Sequence, residues 1–202
     1  MTKTENAVQW MIQTANDPRH GYDQIHRWGE RGDYDCSSAV ITAWEIAGVP
    51  VKSAGATYTG NMYSVFKKCG FVDVTHSVNL KAGSGLLRGD VLLKRGSHTS
   101  MYIGDGQIVQ ASINERGTTT GGSPGDQTGK EFLVRSYYNY PWDYVLRYPD
   151  TAEKIHKKTD ADIAHEVIRG LWGTGSDRIR RLRNAGYNPE KIQRIVNKMI
   201  LG

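Results

Sequence analysis

The chain has 202 residues, 38% of them hydrophobic and 23% charged, a balance that excludes a disordered chain and suits one good core with room for a small second domain. No apolar run reaches the ~20 residues of a membrane span, and two cysteines exclude both a disulfide framework and a four-cysteine zinc site. The net charge of +5 is uneven: residues 154–202 carry 11 Lys and Arg against 5 Asp and Glu, while the remainder nets −1, so contact with something anionic is expected of the C-terminal part.

In chain order, residues 4–16 predict an amphipathic helix with Thr4 as its cap. The N-terminal residues Met1–Asn6 lack the apolar core of a signal peptide, so synthesis in a cytoplasm without export by that route is the expectation. A polar loop rich in Gly and Asp leads to Asp35. Cys36–Ala47 then reads as a helix with Ala39, Val40, Ala43, Trp44 and Ala47 on one face, stopped by Gly48. A short helix is expected over 61–68. From residue 86 the period changes, and strands are expected at 90–94, 99–103, 107–112, 132–138 and 144–148, with a Gly/Thr/Ser-rich loop at 118–129. Helices followed by an antiparallel sheet make an α+β pattern. A polar linker at 150–160 then precedes helical segments at 162–171, 177–185 and 189–200, the signature of a small three-helix bundle.

The chemistry concentrates at Asp35-Cys36-Ser37 and at His98, in Gly96-Ser97-His98-Thr99-Ser100. Cys36 falls in the first turn of a helix, among polar neighbours, where unpaired N–H groups and the dipole favour an anion. His98 opens a strand just after a turn, a rigid place for a base. A thiol beside an imidazole at a helix N-terminus is expected to have a lowered pKa and to act as a thiolate nucleophile. Cys69, at a helix end before Gly70, reads as a small buried hydrophobe, and a Cys36–Cys69 bridge is not expected. His20, His26 and His76 form no metal-ligand pattern, and Asp33, Asp35 and Asp105 lack the spacing of a calcium loop. No metal and no cofactor are expected.

Tyr34-Asp35-Cys36-Ser37-Ser38-Ala39-Val40, then Arg88-Gly89-Asp90-Val91, then His98-Thr99-Ser100-Met101-Tyr102-Ile103-Gly104, resembles the NlpC-type papain-like peptidoglycan hydrolases, especially the phage endolysins of that group. The resemblance covers roughly residues 1–149. It implies a papain-like α+β fold, cleavage of cell-wall stem peptides, Cys36 as nucleophile and His98 as general base. It also implies a third polar residue on the next strand, a dozen residues on, to orient the histidine. That position is Gln110, where related enzymes often have His; Asn114 and Glu115 are the runners-up, by likeness to the CHAP amidohydrolases. The oxyanion hole would use the Cys36 N–H. Tyr22 stands where the family contacts substrate, with Tyr34 as the alternative. Asp35 would bind the free amine of a stem peptide or cap the helix. Trp28, Tyr58, Tyr63, Trp142 and Tyr144 read as core or groove walls.

Residues 162–175, ending in Leu171-Trp172-Gly173-Thr174-Gly175, are followed by Arg178, Arg181-Leu182, Ala185-Gly186-Tyr187 and Gln193-Arg194-Ile195-Val196-Asn197. This closely resembles the CW-seven cell-wall-binding repeat of phage and bacterial lysins. The resemblance implies a bundle that binds the muropeptide portion of peptidoglycan without metal or choline. Ile163, Val167, Leu182, Ile192 and Val196 read as its core, and Trp172 and Arg181 as ligand contacts. Several copies, through homo-oligomerisation, would add avidity.

The expected organisation is therefore a hydrolase domain at 1–149, a linker at 150–160 and a wall-binding bundle at 161–202. The expected partner is bacterial peptidoglycan, with neither membrane insertion nor nucleic-acid binding. The scissile bond is either N-acetylmuramoyl–L-Ala or a link within the stem such as D-γ-glutamyl–L-Lys. A catalytically dead wall-binding protein and a basic nucleic-acid reader are the rival readings.

Overall fold

The computed structural model describes residues 1–113, 131–150, 160–184 and 187–201. The chain divides into two compact units, Met1–Asp150 and Thr151–Gly202.

The first unit begins with helix α1 (Lys3–Ala15), α2 (Cys36–Ile46) and α3 (Thr59–Lys68). Six strands follow: β1 (Val72–Asp73), β2 (Val91–Lys94), β3 (His98–Gly104), β4 (Gln107–Ala111), β5 (Phe132–Ser136) and β6 (Tyr144–Arg147). They form one antiparallel sheet in the order β1-β6-β2-β3-β4-β5. The expected α+β class is the one observed. The cap of α1 is Thr2, not Thr4: the Thr2 hydroxyl accepts from Glu5 N at 3.1 Å, and the Asp150 carboxylate accepts from Thr4 N at 3.1 Å. With both amides satisfied, the helix starts two residues earlier than a cap at Thr4 would allow.

The strand period sorts side chains onto two faces. Val91, Leu93, Met101, Val109 and Leu146 point toward the helices and join Val8, Met11, Val40, Trp44 and Phe66 in the main core. Leu92, Tyr102, Ile108 and Val145 point the other way and pack with Leu86 and Trp142. β3 and β4 pair Met101 with Val109 and Tyr102 with Ile108. Continuing that register two residues sets Ser100 opposite Gln110, and His98 one diagonal step away. His98 and Gln110 thus share the face of the sheet that carries Trp142, at a separation only long side chains can bridge.

Gly89 connects the first helix to the sheet. It sits at φ +91°, and a Cβ there would lie 2.1 Å from Thr4 Cγ2. Its N–H reaches Tyr102 O at 2.7 Å. Gly89→Ala combines left-handed strain with a steric clash, and is expected to cost about 2 kcal/mol, seen as a fall of about 5 °C in Tm by calorimetry.

The second unit holds α4 (Asp160–Ile168), α5 (Gly175–Asn184) and α6 (Pro189–Leu201). Ile163, Ala164, Val167, Leu182, Ile192 and Val196 form its core, with Trp172, Tyr187 and Ile195 packed at the margin. The expected linker at 150–160 lies outside the described residues apart from its two ends.

Candidate active site

Asp35 explains why a helix starts at Cys36. Its backbone is extended and its carboxylate accepts from Ser38 N at 2.6 Å, while the Ser38 hydroxyl accepts from Asp35 N at 2.9 Å. This reciprocal capping box fixes Cys36 as the first helical residue. The other Asp35 oxygen accepts from Arg27 Nη1 at 2.6 Å, and Ser37 Oγ donates to the carboxylate at 2.8 Å. Every oxygen a substrate amine would seek is therefore held by the protein's own donors. Asp35 acts as the cap.

The Cys36 side chain lies against the start of β3, where the backbone N–H of Thr99, the residue after His98, reaches its sulfur, as do the N–H groups of Ser37 and of Cys36 itself. The sequence-based expectation of a lowered thiol pKa is overturned. Burial pushes the thiol up to about 12, the Asp35 carboxylate adds to this, and the three N–H groups offset only part. Cys36 is 7% exposed, so its anion loses more solvation than the helix terminus returns.

His98 Nε2 and Gln110 Oε1 are 3.0 Å apart. The same oxygen accepts from Tyr138 OH at 3.3 Å. Because Oε1 only accepts, Nε2 carries the imidazole proton and Nδ1 keeps its lone pair. Trp142 stacks on the ring at 5.9 Å and 23°, and Tyr140 meets it edge-on at 5.7 Å. Burial lowers the His98 pKa, and the hydrogen bond that His98 donates to Gln110 opposes that in part. Thiol and imidazole are thus both neutral near pH 7. The chemistry available is attack by a thiol whose proton passes to a neutral base, rather than by a preformed thiolate–imidazolium pair.

Of the remaining sequence candidates, Tyr22 is buried, and desolvation, with a smaller contribution from Cys36, pushes its phenol well above the ordinary value, while its hydroxyl accepts from Gln24 at 3.1 Å. Tyr34 belongs to the core, edge-on to Trp10 at 5.3 Å and Phe132 at 6.2 Å. Asn114 and Glu115 lie outside the described residues. Both cysteines are free, and Cys69 donates to Pro50 O. Among the described residues no group of three or more His, Cys, Asp or Glu could hold a metal.

In the second unit, Arg181 is paired with Asp177 at 2.8 Å, and Trp172 donates to Glu166 at 2.9 Å while packing edge-on to Tyr187. Neither lines the groove of about 350 Å3 between α5 and α6. That groove is walled by Arg178, Glu190, Gln193, Arg194 and Asn197 over a floor of Leu182 and Pro189. Arg178 donates to Gln193 at 2.9 Å, and Gln193 to Asn197 at 2.7 Å. Three of the groove residues, Gln193, Arg194 and Asn197, belong to the Gln193-Arg194-Ile195-Val196-Asn197 run.

The Cys36, His98 and Gln110 arrangement on an α+β scaffold coincides with membership of a known family. This chain belongs to the endolysin-like domain family, whose pattern matches residues 1–107 and 108–198. A stretch of 42 residues is 48% identical to the lysozyme of Streptococcus phage Cp-7, covering 21% of this chain and 12% of that protein. The chain thus matches about an eighth of that relative's length. Among solved structures, NlpC1 from Trichomonas vaginalis is similar at 18% identity and a TM-score of 0.43, over 73% of this chain and 44% of that one. The P60 domain of an antigen from M. avium subspecies paratuberculosis is similar at 20% identity and a TM-score of 0.34, over 66% and 97%.

Proposed function

We propose that this chain is a phage-type endolysin, a peptidoglycan hydrolase that cuts an amide bond in the stem peptide with Cys36 as nucleophile. The observation that carries the reading is the His98–Gln110 hydrogen bond at the start of β3, where the adjoining Thr99 N–H favours the anion of a thiol set at a helix N-terminus. The Cys36 thiol attacks the amide carbonyl as His98 Nδ1 takes its proton. The Cys36 N–H stabilises the developing oxyanion. His98 then gives the proton to the leaving amine and activates the water that releases the acyl group. The bond is N-acetylmuramoyl–L-Ala or a link within the stem such as D-γ-glutamyl–L-Lys.

Gln110 fixes the imidazole tautomer without adding charge. Gln110→Glu places a carboxylate against Nε2 and favours imidazolium, so the acid limb of kcat/KM is expected to move up by about one pH unit. Gln110→Leu removes a bond that holds the His98 pKa up, so the limb moves down and kcat falls. A pH profile of wall clearing measures both.

The second unit is proposed as a wall anchor. Supporting this, several surface cations are matched within the bundle, Arg180 and Arg181 to Asp177, Arg183 to Glu190 and Lys191 to Asp160. A duplex reader would instead present its cations to phosphates. The groove offers guanidinium, amide and carboxylate groups over an apolar floor, which suits an acylated sugar bearing a peptide carboxylate. Replacing both Arg178 and Arg194 by Gln is expected to weaken co-sedimentation with insoluble peptidoglycan about tenfold, while Arg181→Gln leaves it near the wild-type value. Such an enzyme would remain in the host cytoplasm until a membrane lesion admits it to the wall.

A further inference from the structure

We propose that Arg27 sets substrate specificity by neutralising the carboxylate beside the nucleophile, so that the site takes stem peptides whose N-terminal amine is acylated and rejects those in which it is free. The inference rests on the hydrolase reading above. Asp35 adjoins Cys36 and, unpaired, would be an ammonium-binding carboxylate next to the scissile bond. Arg27 removes that option. Its Nη1 donates to Asp35 at 2.6 Å and to Ser37 Oγ at 3.2 Å. Its Nη2 donates to Thr57 O at 2.6 Å, tying the guanidinium to the segment before α3.

The arrangement is held in place on several sides. The guanidinium lies 5.0 Å from the Trp28 ring centroid, and Lys52 Nζ lies over the same indole at 4.3 Å. Glu30 accepts from the Trp28 N–H at 2.7 Å and answers the Lys52 charge. The Arg27 side chain is 21% exposed and that of Asp35 10%, so the pair is screened little and neither partner is free to swing away. An incoming ammonium meets a guanidinium and no open carboxylate. An N-acylated amine, uncharged and with one N–H, meets no such repulsion. In wall chemistry, that is the stem peptide still joined to muramic acid, rather than one already released from it.

The test compares two matched stem peptides, L-Ala-γ-D-Glu-L-Lys with a free N-terminus and the same peptide carrying N-acetylmuramoyl on that amine, with turnover read at the D-γ-glutamyl–L-Lys bond that both contain; cleavage at the muramoyl junction, which only the second contains, is not scored, and there the preference is read from binding alone. The wild-type protein is expected to turn over the muramoyl peptide with kcat/KM at least about tenfold above that of the free-amine peptide, about the effect of one well-screened charge pair. Arg27→Gln keeps hydrogen bonding and drops the charge, and should narrow the ratio mainly by lowering KM for the free-amine peptide. Arg27→Lys should restore it. Calorimetric binding of both peptides to Cys36→Ala reads the same preference without turnover, so a folding defect in a variant cannot mimic the result. A wild-type protein that takes the free-amine peptide equally well, or a ratio unmoved by Arg27→Gln, overturns the proposal. Loss of turnover in both peptides, with the binding preference intact, would instead refute the hydrolase reading and leave Arg27 as the selector of a binding site.

Discussion

Cys36→Ala is expected to lower the rate of clearing of purified cell walls by about 10⁴-fold or more, the scale of losing a nucleophile. The variant should remain folded, because the core around α2 is built by Ala39, Val40, Ile41, Ala43 and Trp44, all 0% exposed. A Tm within about 3 °C of the wild type separates lost chemistry from lost structure. The substitution also carries a pH signature. The unfolded thiol ionises near its ordinary value of 9, whereas the folded one holds its proton up to about 12. Between those values the unfolded state releases a proton that the folded state retains, so Cys36 withdraws stability as pH rises above 9. Cys36→Ala should therefore lose less stability than the wild type over that range. Urea titrations at pH 8 and pH 10.5 measure the difference.

The largest stability effect is expected at Arg147. Its Nε and Nη2 each donate to the Asp90 carboxylate at 2.7 Å, a bidentate pair. The Asp90 side chain is 0% exposed and also accepts from Leu87 N at 2.8 Å, while Arg147 is 27% exposed. The pair joins the start of β2 to the end of β6, two strands that share the register Val91↔Leu146. Arg147→Met leaves a buried carboxylate without its counter-charge and is expected to cost about 3 kcal/mol, lowering Tm by about 10 °C. Adding Asp90→Asn to that variant removes the stranded charge while keeping an acceptor for Leu87 N, and should recover part of the loss. A double-mutant cycle in urea measures the coupling.

Much of this was legible because local chemistry and global packing agree. Asp35 with Ser38 is a helix start readable from four residues, and it put Cys36 in the first turn. Short runs at 90–94 and 99–103 separated by a Gly-containing turn marked two strands, which the structure sets at Val91–Lys94 and His98–Gly104, with His98 at one end of β3. What was not legible is what depends on partners distant in sequence. The protonated thiol reflects how deeply α2 is covered by the sheet, a burial that no neighbour in sequence reports. Arg27 lies in a loop without periodicity, and its partners Asp35 and Thr57 are 8 and 30 residues away. A carboxylate next to a nucleophile does ask for a counter-charge, and that was the available clue. The wall of Tyr138, Tyr140 and Trp142 around His98 and Gln110 forms because the segment after β5 crosses the outer face of the sheet, which pairing alone decides. Strand β1 has two residues and no pattern of its own; pairing with β6 creates it.

The central claim is that a thiol in this fold cuts an amide in the wall, and mass spectrometry of purified peptidoglycan after digestion tests it most directly. The expected result is a new amine and its matching carboxyl within the stem or at the muramoyl–L-Ala junction, with neither formed by Cys36→Ala. New sugar reducing ends with intact stems, or the same fragments from the Cys36→Ala protein, would contradict it.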